Sequence, residues 1–271
     1  MLETAGIPYE IKQNPDGYSI VVAAEDAARA RNEIGAYSQE NRLWPTAKAV
    51  VFQRDSGWVG VLGYAAILAL ITLLYHYEVF ASNWFAAGKM HAGLMRRGEV
   101  WRAVTALTLH ADLVHLVANI VIGGLVGLFA GQLMGSGLAW ISILLGGAFG
   151  NLFNAFLRPS DYTSIGASTA VFAALGMVAA HSWTRNRKTR DSILTRYASI
   201  VGAVVLLSFL GTGGEKTDVL SHVTGFISGL FLGAVYGKLG NRIMFGRATQ
   251  FMLGIIALAV LALAWFNALT R

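Results

Sequence analysis

The feature that most constrains this chain is the recurrence, along most of its 271 residues, of apolar runs long enough to cross about 30 Å of hydrocarbon at about 1.5 Å per helical residue. An all-α polytopic membrane protein is the expected fold class. Composition agrees, since 55% hydrophobic residues, 13% charged residues and 31 glycines depart from soluble averages in that direction. The formal charge of +6 sits in short loops between apolar spans, so it reads as a topology signal and not as a nucleic-acid surface. With no cysteine there is no disulfide framework, no thiolate nucleophile and no cysteine metal site.

Residues 1–40 are polar enough for a small soluble α+β domain, and this polar opening argues against a cleavable signal peptide. Tyr9 to Gln13 and Tyr18 to Val22 have strand character, and Asn14-Pro15-Asp16-Gly17 supplies a tight turn between them. Ala27, Ala30, Ile34 and Tyr37 recur at helical spacing, predicting one helix that covers a face of the hairpin. Residues 41–57 read as a linker. Residues 58–237 hold six spans: Trp58 to Tyr77, Leu109 to Leu133, Leu138 to Leu157, Ile165 to Ala180, Tyr197 to Leu210 and Val219 to Tyr236. Residues 238–271 add a basic loop and a seventh span, Phe251 to Leu269. Between spans one and two, Glu78 to Thr108 mixes aromatic and basic residues, as expected of a segment lying in the membrane interface. Gly135-Ser136-Gly137 is expected to turn between spans two and three. The fourth span, at roughly 16 residues and about 24 Å, falls short of the hydrocarbon and is expected to start below the surface.

Arg185, Arg187, Lys188, Arg190 and Arg196 lie between spans four and five, and Lys238, Arg242 and Arg247 between six and seven. The positive-inside rule makes both loops cytoplasmic, which places the N-terminus inside and the C-terminus outside. The starts of spans two, four and six then share the outer side.

Polar groups inside spans are costly and are functional candidates. Ser168 follows Gly166 at the start of span four, where free backbone N–H groups and the helix dipole can stabilise an oxyanion. Ser168 by itself is an ordinary small packing residue. His222 heads a stripe of Gly225, Gly229 and Gly233 that permits close helix contact, and if span four is the partner its imidazole reaches Ser168 as general base. His115 and Asn119, at i and i+4, share a helix face, with His110 a little more than a turn earlier. They are either a polar patch joining helices or donors to an oxyanion. A zinc site on the three histidines is the chemical rival; it ranks low because Asp112, their one nearby carboxylate, suits the helix N-terminus better.

In these motifs the chain resembles the rhomboid intramembrane serine proteases. The family pattern of histidine, four residues, histidine, three residues and asparagine matches His110, His115 and Asn119. Its G-x-S-G nucleophile motif matches Gly166-Ala167-Ser168, and its late A/S-H-x-x-G-x-x-x-G matches Ser221-His222 through Gly225 and Gly229. Trp101-Arg102 resembles the tryptophan-arginine motif of the first loop, and the likeness covers about residues 58–237. It implies a rhomboid-like bundle of six helices plus one and a catalytic pair of Ser168 and His222. It implies an oxyanion held by the Ser168 N–H with the His115 and Asn119 side chains, and Phe172 packed on the catalytic histidine. The segment Gly211 to Asp218 corresponds to the family's capping loop. One position departs: Thr169 stands where the motif has glycine, and its bulk and β-branching are expected to shift the helix crossing or narrow the oxyanion site.

The leading expectation is an endopeptidase that cuts single-span or polytopic membrane proteins near the outer face of a bacterial inner membrane. No cofactor, metal or nucleic acid is called for. The alternatives are a pseudoprotease that binds transmembrane segments and a proton-coupled transporter. The N-terminal unit is expected to dock or regulate.

Overall fold

A computed structural model of the chain describes residues 2–14, 17–40, 55–186, 193–211, 218–239 and 245–271. Two compact units divide it, Met1–Phe52 and Gln53–Arg271. The expected linker lies mostly outside the described residues, as do the turn residues Pro15 and Asp16, residues 212–217 of the expected capping loop, and basic residues 187, 188, 190 and 242.

In the first unit β1 (Tyr9–Asn14) pairs antiparallel with β2 (Gly17–Val22), Ile11 opposite Ile20, and α1 (Ala27–Glu40) follows. Strand alternation puts Tyr9, Ile11, Tyr18, Ile20 and Val22 on one face. The helix covers less of that face than its spacing suggested. Ala30 is buried with Leu2 and Ile7, and Ile34 and Val22 pack on them, whereas Tyr9, Ile11, Tyr18, Ile20 and Tyr37 stay exposed. Two short strands and one helix hold too few side chains to bury more.

The second unit opens with α2 (Trp58–His76). A folded insertion follows, made of α3 (Trp84–Gly88), β3 (Met90–His91), α4 (Ala92–Arg96) and α5 (Arg102–Thr105). Then come α6 (Leu113–Met134), α7 (Ser136–Leu157), β4 (Thr163–Ser164), α8 (Ser168–Asn186), α9 (Ile193–Gly211), α10 (Val219–Leu239) and α11 (Arg247–Thr270). Five of these, α2, α6, α7, α10 and α11, are long and apolar enough to cross a membrane, and α9 carries a shorter apolar stretch, Tyr197–Phe209. The second unit is therefore an integral membrane helical bundle.

At the centre of the bundle lies α8, packed by α6, α7, α9 and α10. It starts at Ser168 rather than Ile165 and runs past Ala180 to Asn186, so its 19 residues reach about 28 Å, longer than expected but still short of about 30 Å of hydrocarbon. A helix lined by protein on every side needs no lipid-facing surface and can end in polar residues. Thr184, buried near the far end, returns its hydroxyl to the carbonyls of Ala180 and His181 at 2.9 and 2.8 Å. The stripe on α10 brings backbones together. A Cβ on Gly225, Gly229 or Gly233 would lie 2.2, 1.9 or 2.2 Å from the carbonyl oxygens of Thr169, Ala173 and Met177. Only glycine allows that approach.

Between α6 and α7 Gly135 alone makes the turn, and Ser136 and Gly137 are already helical. The Asp55 carboxylate accepts from the N–H groups of Gly57 and Ser136 at 2.9 and 2.8 Å. Burial works to raise its pKa, but these hydrogen bonds hold it below the ordinary carboxylate value. From α11, Gln250 bridges the same corner: its Oε1 accepts from Leu138 N and its Nε2 donates to Met134 O, each at 2.9 Å.

Residues 78–108, expected to lie in the membrane interface, fold into a packed set of short helices and one short strand. Trp84, Met90, Met95, Ala103 and Leu107 are buried, and β3 pairs with β4, His91 opposite Thr163. Two of the segment's basic residues, Arg96 and Arg102, serve internal carbonyls. Arg102 donates to Ala86 O and Lys89 O at 2.9 and 2.8 Å and pairs with Glu99 at 2.6 Å. Arg96 donates to Ala155 O and Arg158 O, at 2.7 and 2.9 Å, where α7 ends in orphan carbonyls that favour a cation. Against this insertion α11 sets Trp265, whose Nε1 donates to Thr108 Oγ1 at 3.1 Å and whose ring lies 4.8 Å from that of Trp84.

Candidate active site

Three helices begin at one place. Gly166, two residues ahead of α8, has φ 123°, a conformation L side chains rarely adopt. A Cβ there would also lie 2.8 and 2.9 Å from Cε1 and Nε2 of His115, so space and backbone both demand glycine. Ser168 follows as the first residue of α8. In the first turn of α10, His222 lies with Nε2 2.9 Å from Ser168 Oγ. The glycine contacts along α8 and α10 set that distance, because two helices whose backbones touch can join side chains as short as serine and histidine. One turn along α8, Phe172 packs on the imidazole, with ring centroids 4.5 Å apart.

His115 stands in the first turn of α6, where Asp112 accepts its N–H at 2.7 Å as helix cap. Its ring is thereby brought beside Gly166, and 5.1 Å from the ring of His110. Asn119, a turn later, is buried, and its Nδ2 donates to His115 O at 3.0 Å. The structure therefore brings His115 to the Gly166–Ser168 stretch, while the Asn119 amide bonds its own helix. Tyr64 of α2 donates to Asn119 O at 2.9 Å. His110 does not lie on the second span: it precedes α6, is 1% exposed, and offers Nε2 to the Ala167 N–H at 3.5 Å. The Asp112 cap delays the helix until Leu113.

Thr169 is 3% exposed, and its methyl fills the hollow left by Gly150 of α7 and Gly225 of α10. With threonine in place the Ser168–His222 contact is 2.9 Å. Trp101 and Arg102 lie in the insertion; Trp101 packs on the cluster of Trp84, Leu109 and Trp265, with the Arg271 guanidinium 5.2 Å over its ring. Among the described residues no group of three or more His, Cys, Asp or Glu side chains is arranged to hold a metal ion.

Sequence reasoning missed a second set of polar residues beside the pair, Asn154, Arg158, Tyr162 and Asp218, gathered around the motif's Ser221. Two signals were present, a buried-span asparagine and a D-x-x-S cap before an apolar run.

An integral membrane protein whose helices enclose a serine and a histidine in hydrogen-bond contact is the class that fold and site define. The sequence profile of the Rhomboid domain matches residues 97–239, just over half of the chain. Rhomboid-like protease 3 of Toxoplasma gondii is 27% identical over 181 residues, covering 67% of this chain and 68% of that protein. Rhomboid-like protease 1 of the same organism is 32% identical over 158 residues, covering 56% and 52%. A rhomboid protease of Bacillus subtilis is 30% identical over 239 residues, covering 87% of this chain and 46% of the relative. The chain thus spans about half the length of the last two. It belongs to the rhomboid family.

Proposed function

We propose that the chain is an intramembrane serine endopeptidase, and the 2.9 Å contact between Ser168 Oγ and His222 Nε2 carries that reading. Ser168 attacks the scissile carbonyl as its proton passes to His222 Nε2. The tetrahedral intermediate collapses with cleavage of the C–N bond, and His222 returns the proton to the leaving amine. Water, activated by the same imidazole, then releases the acyl group from Ser168. At the start of α8 the Ser168 N–H lies beyond intrahelical pairing, and with the His115 side chain it receives the oxyanion. Asn119 adds a donor by turning its amide from His115 O. Phe172 holds the imidazole plane. Arg102, Trp101, Gly225 and Gly229 support the site from a distance, and His110 steadies the Ala167 N–H.

Substrates are single-span or polytopic membrane proteins, cut near the outer face where a helix rich in small residues can unwind to expose an amide. The N-terminus is cytoplasmic, the C-terminus outside, and a bacterial inner membrane is the host. Residues 1–40 form a docking or regulatory unit. The fit of Thr169 between two glycines favours an active enzyme over a pseudoprotease.

The test is labelling with a fluorophosphonate probe together with cleavage of a single-span model substrate. Wild type is expected to label and cleave, and Ser168→Ala and His222→Ala to do neither. Cleavage that survives Ser168→Ala in pure protein overturns the reading.

A further inference from the structure

The pair described above has no carboxylate in its assigned chemistry, yet a partly buried carboxylate network stands at its edge. Asp218 precedes α10 and caps it twice: its Oδ1 accepts from Ser221 N at 3.2 Å, and its backbone carbonyl accepts from His222 N at 3.2 Å. The same side chain reaches two other parts of the fold. Arg158, at the C-terminal end of α7, donates to Oδ1 at 2.9 Å, and Asn154, 0% exposed on α7, donates to Oδ2 at 3.2 Å. The Ser221 hydroxyl donates to Oδ2 and accepts from Asn154. Tyr162 stands beside them, its ring 4.5 Å under the Arg158 guanidinium.

Each partner belongs to an element that fixes Ser168 or His222. Arg158 and Tyr162 open the segment that leads to Gly166 and Ser168. That segment is held on its other side by Ala92 N to Tyr162 O at 3.0 Å, Gly93 N to Ser160 O at 2.8 Å, and the β3–β4 pairing. Asp218 and Ser221 form the first turn of α10, which carries His222. One carboxylate therefore ties the approach to the nucleophile to the helix of the base. Charge-assisted hydrogen bonds of this kind are short and directional, and in a partly buried place they resist solvent competition.

We propose that Asp218, held by Arg158, is a positioning residue that keeps His222 in register with Ser168; this rests on the serine-protease reading above. It touches no substrate. Its removal leaves the nucleophile, the base and the glycine stripe intact but lets the start of α10 drift against the segment from Arg158 to Ser168. The glycine contacts fix how far apart α8 and α10 lie; the Asp218 network fixes the first turn of α10, and hence where the imidazole points.

The experiment compares wild type, Asp218→Asn, Arg158→Gln, Arg158→Lys and the Asp218→Asn/Arg158→Gln double variant. All are purified in detergent and checked for folding by thermal unfolding. The readouts are kcat and KM on a single-span substrate and the fluorophosphonate labelling rate. Expected are at least a tenfold loss of kcat and of labelling rate in Asp218→Asn and Arg158→Gln, with KM within about twofold of wild type. Arg158→Lys should recover part of the loss, and the double variant should be no slower than the worse single. Folded Asp218→Asn that labels and turns over at the wild-type rate overturns the proposal, as does additive loss in the double variant. A wild type that neither labels nor cleaves, with Ser168→Ala indistinguishable from it, instead brings down the protease reading and the proposal with it.

Discussion

Gly225→Ala tests whether backbone contact between α8 and α10 sets the reactive distance. The added Cβ would stand 2.2 Å from Thr169 O and 3.0 Å from Thr169 Cγ2. Ordinary van der Waals separation is regained only if the start of α10 retreats by about 1 Å. Because Thr169 adjoins Ser168 and Gly225 lies one turn from His222, that retreat carries the 2.9 Å contact to about 4 Å, past hydrogen-bond range. Overpacking costs about 1–3 kcal/mol of stability, and loss of the general base costs about 10²–10⁴ in rate. The fluorophosphonate labelling rate should accordingly fall at least about 100-fold in protein that still unfolds cooperatively. Gly233→Ala is the control. Its Cβ meets Met177 O at the same 2.2 Å, but about 12 Å further along the helix, so stability should fall comparably and labelling much less. Wild-type labelling in folded Gly225→Ala refutes the reasoning. Equal labelling losses in the two variants would do so too, since they would trace to stability alone.

Other perturbations follow from the same contacts. Trp265→Phe keeps the ring against Trp84 but removes the bond to Thr108 Oγ1; a loss of about 1 kcal/mol in unfolding free energy is expected, with labelling within about threefold of wild type. Thr169→Gly empties the hollow between Gly150 and Gly225 and should lower the thermal midpoint, whereas Thr169→Val, which keeps the methyl, should recover most of it. Burial pushes the Asp218 carboxyl upward, but hydrogen bonds from Ser221 and Arg158 outweigh it and hold the group below its ordinary value of 3.8. A depressed acid contributes stability that is present above its unfolded value and lost as pH falls through the folded one. The thermal midpoint should therefore drop on acidification below about pH 4, and the drop should be shallower in Asp218→Asn, with Asp55 supplying the remainder. Removing residues 1–40 should leave most of the detergent-solubilised activity, which a cleavage assay on the truncated chain would check.

The large periods of this fold were legible because lipid imposes them. Length and apolarity gave the long helices, and the family resemblance is borne out by the Rhomboid match. Which side chains meet was legible too, since Gly166, Ser168, His115 and His222 carry motif spacing and stand together. The failures have a common origin. Apolarity ends at Ala180 but α8 runs on to Asn186, because it is packed by protein on several sides and needs no lipid-facing surface there. The internal packing of residues 78–108 was not legible from their mix of aromatic and basic residues, because Arg102 ends on carbonyls of Ala86 and Lys89 within the segment and Arg96 on carbonyls some 60 residues away at the end of α7. Asp218 escaped notice because its partners Asn154 and Arg158 belong to α7 and its end, about 60 residues away, a pairing that no local period records.

The enclosure of α8 has a consequence for how the protein is made. Helices α2, α6 and α7 are apolar enough to partition into the bilayer as each is synthesised, whereas α8, with its polar ends, is not among those that qualify by length and composition. Its stable place exists only once α10, some 30 residues later in translation, supplies the groove of glycines against Thr169, Ala173 and Met177. Until then α8 is retained by α6 and α7, which precede it. Ser168 can therefore meet His222 only once α10 has been made, so a chain that ends before α10 carries the serine without the histidine.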